Sequence, residues 1–401
     1  MKKENVYGSL GILPKEEMLE VKQDFQKLKI GIPKESSFQE NRIALTPDAV
    51  SLLVHNGHTI VIEHNAGVGA NFTDKEYSDA GAEIVFSIEE VYNTDIIIKI
   101  EPPTKTELKL LKKGQQLISA IQLQTRNKEY FQELLKKDIT SIAIEQIKDD
   151  EGKLTLLRSM SEIAGNTSLL IAAEYLSNVN SGKGLMLGSI TGINPTDVVV
   201  IGAGTVGEFA SRTALGLGCN VRVFDSSLSK LRRLQQLTSR SISTSVIQPK
   251  SLSKALKRAD VVIGAIRSGD GRTPCVVSEG MVEGMKDGSV IIDVSIDHGG
   301  CFETSEVTTH KNPIFVKHGI IHYCVPNIAS RVARTSSFAI CSIISPLLIK
   351  IGEEGGVKNL IKQDEGVRSG VYTFRKMMTN KTLSEMFDFQ FKDLNLIITA
   401  I

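Results

Sequence analysis

The chain has 401 residues, 41% of them hydrophobic, with 47 Lys+Arg against 46 Asp+Glu and a formal net charge of +1. That length exceeds what one hydrophobic core usually serves, so two domains are expected. The near-neutral charge argues against nucleic acid or an anionic membrane as partner, and no apolar run nears the roughly 18 residues of a membrane span.

In chain order, an apolar strand at 28–32 is followed by a helix at Pro47–His55 and a strand at Thr59–Glu63. Short apolar runs at 84–86, 96–100, 116–121 and Thr140–Ala143 read as buried strands, with an acidic helix at 87–92. The stretch 105–113 reads as an amphipathic surface helix. A long helix at 161–176 leads to a Gly-rich loop, and the pattern then restarts with strand Asp197–Ile201, helix 205–217 and strand Asn220–Asp225. Later strands fall at 261–265, 290–294 and Ile320–Tyr323, and a helix at 335–351 carries Pro346, where a kink is expected. Strands alternating with helices predict mostly parallel sheets covered on both faces. The fold class is therefore α/β, with two Rossmann-like doubly wound domains. A catalytic part at 1–160 would be completed by C-terminal helices at 331–401, with a nucleotide domain, 161–330, inserted between them. The cleft between the two is the default ligand site.

The most specific motif is Gly202-Ala-Gly204-Thr-Val-Gly207, which follows the strand Val198-Val-Val-Ile201 and opens a helix. Gly202 permits the tight turn, Gly204 lets a pyrophosphate approach the backbone, and Gly207 lets helix and sheet pack closely; phosphate charge then sits at the helix N-terminus. Asp225 ends the next strand at about the 20-residue spacing of a ribose-binding carboxylate. A carboxylate there accepts from a 2′-hydroxyl and repels a 2′-phosphate, which favours NAD(H) over NADP(H).

Five scattered cysteines without a CxxC pair give no disulfide framework or zinc site. His318 and His322 have HxxxH spacing but lack the intervening Glu of a zinc helix and fall on a strand, so no metal is expected. The N-terminal 20 residues mix Lys and Glu and lack the apolar core of a secretory signal. A cytoplasmic protein is expected. The segment 1–26 has a charged helical pattern suited to packing along the catalytic domain or a neighbouring subunit.

Five segments then carry a resemblance: Gly31-Ile-Pro-Lys-Glu35, Asn41-Arg-Ile-Ala-Leu-Thr-Pro47, Met160-Ser-Glu-Ile-Ala-Gly165, Asp197-Val-Val-Val-Ile-Gly-Ala-Gly204 and Asp293-Val-Ser-Ile-Asp-His-Gly-Gly-Cys301. The chain resembles the alanine dehydrogenase family and, behind it, the α-subunit of nicotinamide nucleotide transhydrogenase. The resemblance implies NAD-dependent, reversible deamination of L-alanine to pyruvate and ammonium, with a small amino acid or 2-oxo acid as substrate. It also implies a homo-oligomer, often a hexamer. Ser330-Arg-Val-Ala333 leans toward the transhydrogenase side, whereas the chain lacks the insertion usual in that subunit's nucleotide domain.

Carried over by resemblance, Arg42 matches the carboxylate-binding arginine and Asp297 the aspartate beside the nicotinamide, suited to orienting water or ammonia. Ser161 and Lys230 match positions near the adenosine and pyrophosphate, and Asn327 one on the nicotinamide side; Ala265 and Ile266, at the end of the 261–265 strand, would line the nucleotide where a strand's carboxyl end meets the crevice, and Val206 of the Gly-rich turn is a further cofactor-binding candidate. Two positions depart. Lys99-Ile-Glu101-Pro-Pro103 places Glu101 where the family has a lysine, and Ile118-Ser-Ala-Ile-Gln122 places Gln122 where it has the catalytic histidine. Glutamine hydrogen-bonds but cannot exchange a proton near neutral pH. Lys99, two residues from Glu101, shares its face of a strand. A Lys99–Glu101–Arg42 cluster would hold a zwitterionic amino acid, with Glu101 on the ammonium. Two other readings stay open: a transhydrogenase-α-like NAD(H) module, and an NAD(H)-binding paralogue with lost or altered chemistry.

Overall fold

The computed structural model describes residues 25–37, 39–122, 126–180, 182–238, 242–267 and 272–399. The expectation for the N-terminal segment lies outside them, except that Gln26 N–H donates to the Gly352 carbonyl at 2.8 Å. The chain builds two sheets. The first contains β1 (Lys29–Ile32), β2 (Thr59–Glu63), β3 (Glu83–Val85), β4 (Ile96–Ile98), β5 (Gln116–Ser119) and β6 (Thr140–Ala143). The second contains β7 (Asp197–Ile201), β8 (Asn220–Asp225), β9 (Ser243–Val246), β10 (Val261–Gly264), β11 (Val290–Asp293), β12 (Ile314–Lys317) and β13 (Ile320–Tyr323). From the C-terminal segment, β14 (Val371–Phe374) and β15 (Met377–Met378) return to the first sheet.

Each sheet has the same parallel core. The order β6-β5-β4-β1-β2-β3 in the first is repeated as β13-β11-β10-β7-β8-β9 in the second. This is the doubly wound 3-2-1-4-5-6 order, in which the crevice opens at the carboxyl ends where the strand order reverses. In the first sheet that point lies between β1 and β4, in the second between β7 and β10. Runs such as Ile96–Ile98 are buried throughout, as expected for strands covered by helices on both faces.

The domain-crossing elements are longer than expected. Thr155–Leu176 is one helix, so the expected division at 160/161 falls inside it. Its Leu156 belongs to the first hydrophobic core and its Ala164, Leu169 and Ile171 to the second. The returning helix Ala333–Glu353 continues through Pro346, which leaves one intrahelical hydrogen bond unmade. Segment Ile328–Glu353 is apolar enough to cross a membrane by length and composition, an 18-residue window within it having mean hydropathy 1.6. Here Ile340, Ile344, Leu348 and Ile351 are instead packed into the first core beside Ile30, Ile62 and Ile98.

The C-terminal segment is not only helical. β14 pairs antiparallel with β6, and β15 with β14. The polar β9 and the antiparallel β12 were also not anticipated. Their burial patterns are half-exposed; β9 is mostly polar, whereas Ile314-Phe-Val316 of β12 is an apolar run from which a strand could have been read.

Candidate active site

The Gly-rich turn sits where β7 feeds the helix Thr205–Gly216. Gly202 has φ +113°, and a Cβ there would lie 2.3 Å from the Ala265 carbonyl oxygen; one on Gly207 would lie 1.8 Å from the Gly202 carbonyl. Both positions need glycine to let turn, helix and β10 approach. Gly204 differs, since a Cβ there meets nothing within 4 Å. Its opening is toward the cavity, as close approach of a pyrophosphate requires. Asp225 accepts from Ala203 N–H and from Ser227 N–H, each at 2.7 Å. It therefore braces the turn as well as lining the cavity.

That cavity has about 650 Å³ and is lined by Ser161, Gly204, Val206, Asp225, Lys230, Ala265 and Ile266, together with Arg267. The groups fit a dinucleotide. Backbone N–H groups at the helix N-terminus and the Lys230 ammonium suit phosphate, and a carboxylate sits at the end of the second strand. Ser161 donates to the Leu157 carbonyl at 2.7 Å, which fixes its hydroxyl at the cavity wall.

A second cavity of about 160 Å³ adjoins the first and shares Leu157, Ser161, Val206, Ala265, Ile266 and Arg267 with it. Its far wall includes Arg42, Met160, Asp297 and Asn327. Asp297 lies on the loop after β11, in the turn Val294–His298 that Asp293 caps by accepting from Ser295 N–H at 3.0 Å. Asp293 also accepts from Cys301 N–H at 3.0 Å and Ser305 Oγ at 2.7 Å, so it holds the whole loop. Asn327, with φ +55°, donates its backbone N–H to Asp297 Oδ1 at 3.0 Å. Asp297 opens onto the cleft, yet restricted access of water raises its carboxyl above the ordinary carboxylate range, against the Asn327 hydrogen bond and the His298, Arg42 and Arg267 charges.

Behind this wall lies a buried charge cluster. Glu40 Oε1 accepts from Arg42 Nε at 2.7 Å, Glu40 Oε2 accepts from Arg42 Nη2 at 2.5 Å, and Asn327 Nδ2 donates to Glu40 Oε2 at 2.9 Å. Burial opposes ionisation of Glu40, but the Arg42 charge and hydrogen bonds outweigh it and hold its carboxyl below the usual range. Glu101 is hydrogen-bonded to Glu40. Burial, helped by the Glu40 charge and opposed by Arg42, pushes Glu101 up to about 7. Burial likewise lifts Glu35 to about 7, against the pull of Lys99. Four carboxyls (Glu35, Glu40, Glu101, Glu107) share two cations, and below about pH 7 protons on Glu35 and Glu101 balance the set. Carboxyls this close cannot all ionise.

The expected Lys99–Glu101–Arg42 cluster does not form. The Lys99 ammonium, 1% exposed, lies 2.6 Å from Glu107 Oε1 and 3.5 Å from Glu35 Oε2. Those carboxylates keep its pKa raised against burial. The reason is the stretch expected to be a surface helix. Its helix, Lys105–Leu110, buries Glu107, which closes a capping box with Thr104 and turns its other oxygen to Lys99. Arg42 pairs with Glu40 rather than Glu101. Gln122 is exposed, with φ +49°, beyond β5, and lines neither cavity.

Sequence reasoning missed Glu40, Glu35, Glu107, Asp293 and Arg267. A signal for Glu40 existed: an arginine buried before a helix needs a carboxylate, and Glu40 stands two residues upstream. Of the two histidines with HxxxH spacing, His322 is buried with Nε2 2.8 Å from Thr304 Oγ1, and His318 pairs with Glu279 at 2.7 Å.

Comparisons with known proteins bear on the family of the chain. The family models "Alanine dehydrogenase/PNT, N-terminal domain" and "Alanine dehydrogenase/PNT, C-terminal domain" match residues 31–164 and 168–381. Alanine dehydrogenase 2 of Staphylococcus aureus (strain USA300) is 37% identical over 368 residues, which cover 92% of this chain and 98% of that protein. A solved L-alanine dehydrogenase superposes with TM-score 0.84 at 34% identity, covering 90% of this chain and 99% of the other. The transhydrogenase from Sinorhizobium meliloti shares the fold at TM-score 0.75, with 22% identity over 88% of this chain and 99% of its own. The chain belongs to the alanine dehydrogenase/PNT family.

Proposed function

We propose that the protein is an NAD-dependent amino-acid dehydrogenase acting on L-alanine. It would convert alanine, NAD⁺ and water to pyruvate, ammonium, NADH and a proton, reversibly. The observation that carries this is the junction of the two cavities, where the nucleotide cavity opens past Ala265 and Ile266 onto a small, largely apolar one whose polar groups include Arg42, Asp297 and Asn327. A small substrate there would meet the nicotinamide end of the cofactor, which supplies hydride acceptance at C2 of alanine.

The remaining work falls to the chain's own residues. Asp297, held by Asn327, orients the water that replaces ammonia and takes its proton. Arg42, fixed by Glu40, contributes positive charge at the inner wall. Glu101, behind it, is a proton-holding carboxyl in place of a lysine, and Lys99 serves the cluster rather than the substrate. The resemblance extends the reading to a soluble, cytoplasmic homo-oligomer.

The test is NADH oxidation by the purified protein given pyruvate and ammonium. A rate that requires both substrates supports the reading. NADH binding without turnover on any 2-oxo acid favours an NAD(H)-binding paralogue, for which the departures at Glu101 and Gln122 already speak.

A further inference from the structure

Deamination of an amino acid moves protons at two atoms, and the small cavity must serve both. The substrate ammonium has to lose a proton before hydride can leave C2, and the nitrogen has to regain one to depart. The incoming water loses its own proton at oxygen. Asp297 carries that water proton at this stage, so a second exchanging group is needed at the nitrogen.

Few of the described residues lining the cavity can fill that role. Arg42 and Arg267 stay protonated, and the Ser161 and Ser295 hydroxyls do not ionise near neutral pH. Gln122 lines neither cavity. His298 lines the small one, and among the described residues it is the only histidine lining either. Histidine is the side chain whose charge ordinarily changes near neutral pH.

The backbone sets His298 beside Asp297. Both belong to the turn Val294–His298 at the carboxyl end of β11, which Asp293 caps. Three residues per turn put successive side chains about 120° apart, and Asp297 and His298 both reach the cavity. Gly299 (φ +101°) and Gly300 (φ +78°) then end the turn, donating to the Ile296 and Ser295 carbonyls at 3.0 Å each. From the loop after β10, Thr273 N–H donates to the His298 carbonyl at 2.9 Å. The charges sharing the cavity with His298 are Asp297 on its own turn, Arg42 ahead of the first helix and Arg267 after β10. The His298 charge reaches the Asp297 carboxyl, as those of Arg42 and Arg267 do.

We infer that His298 is a catalytic residue that exchanges protons with the substrate nitrogen. The inference deepens the amino-acid dehydrogenase reading above and rests on it. The neutral imidazole takes a proton from the alanine ammonium and leaves an amine. Hydride passes from C2 to NAD⁺, and C2 and nitrogen become an iminium. Water adds at C2, its proton going to Asp297. The imidazolium returns its proton to the nitrogen, and the C–N bond breaks as the hydroxyl oxygen becomes the pyruvate carbonyl. The hydroxyl proton leaves with ammonia as ammonium, and Asp297 gives its proton to solvent.

The experiment measures the rate of L-alanine oxidation by the full-length protein at saturating NAD⁺, for wild type, H298A and H298Q, with and without added imidazole. Circular dichroism and NADH affinity are expected to be unchanged, because the turn's backbone bonds do not use the imidazole ring. Both variants are expected to lose roughly 10²–10⁴ in kcat. Added imidazole is expected to raise the H298A rate by about tenfold or more, as a free base in the space left by the ring. It is expected to leave H298Q unchanged, since the carboxamide fills that space. A wild-type kcat in H298A overturns the assignment, and so does a loss that imidazole does not reverse. Should H298A lose the wild-type circular dichroism, H298Q decides: a wild-type kcat there overturns the assignment, and a loss at unchanged NADH affinity supports it. Failure of the underlying reading shows in the wild type, which would bind NADH but turn over neither alanine nor any 2-oxo acid, and the assignment would fall with it.

Discussion

Glu40 grips Arg42 along one edge of its guanidinium, through Nε at 2.7 Å and Nη2 at 2.5 Å, and also accepts the Arg42 backbone N–H at 3.0 Å. Both side chains are buried, 1% and 9% exposed. Removing one member of such a pair strands the other, which typically costs about 3–5 kcal/mol. E40A is therefore expected to lower the thermal midpoint clearly. Replacing both partners, as in E40A/R42M, removes the stranded charge and is expected to recover much of that loss. Urea melts of the two single variants and the double variant measure the coupling. Additive effects would show that the pair is not energetically linked.

The Glu101 carboxyl gives a pH signature. Its pKa is pushed to about 7 from 4.5, by burial first and the Glu40 charge second. A carboxyl raised in the folded state binds its proton more tightly there than when unfolded. Its contribution to stability is full below about 4.5 and is lost as pH rises through about 7. E101Q keeps the neutral form at every pH. The variant should match the wild type near pH 5 and melt higher near pH 8, by about 2–5 °C. Glu35, with the same trend, is present in both proteins and cancels. Scanning calorimetry at the two pH values decides it, and an equal difference at both would count against a protonated Glu101.

What could be read in advance follows from how local each signal is. Val198-Val-Val-Ile201 ahead of the Gly-rich turn is a contiguous pattern, and the nucleotide cavity gathers Gly204, Val206, Asp225, Lys230, Ala265 and Ile266 as expected. The fate of Lys99 was not legible, because its partners Glu35 and Glu107 are chosen by the approach of β1 and a short helix. Two-residue spacing places Lys99 and Glu101 near each other but says nothing of competing carboxylates. Thr104-Lys-Thr-Glu107 does spell a capping box, and a buried N-terminal turn could have been argued from it. β14 was missed for another reason: Val371-Tyr-Thr-Phe374 is short and follows helical sequence, and only pairing with β6 makes it a strand.

The two glycines of the nucleotide turn should separate folding from binding. A methyl on Gly207 would lie 1.8 Å from the Gly202 carbonyl oxygen, whereas one on Gly204 meets no protein atom within 4 Å. G207A is expected to lower the thermal midpoint and abolish NADH binding together. G204A is expected to melt as the wild type does and still bind NADH at least tenfold more weakly, roughly the cost of keeping a pyrophosphate from the backbone. Fluorescence titration with NADH alongside thermal melts tests both. Wild-type affinity in G204A would mean that the pyrophosphate does not approach that turn.

Asp297 offers the sharpest test of the proposed chemistry. Its Oδ1 accepts from Asn327 N–H at 3.0 Å, and an asparagine can keep that bond through its carbonyl oxygen. D297N therefore preserves the loop while removing the proton acceptor. Loss of a positioned acid/base group typically costs about 10²–10⁴ in rate, and kcat is expected to fall by that order with NADH affinity unchanged. Restricted hydration raises the Asp297 carboxyl above the ordinary carboxylate range, and the group works only when ionised. The wild-type rate should therefore fall as pH drops through that raised value, giving an acid limb at higher pH than a free aspartate would give. In D297N this limb should disappear from the residual rate. A limb that persists unchanged would assign the titration to another carboxyl of the cluster, Glu101 or Glu35, each pushed up to about 7.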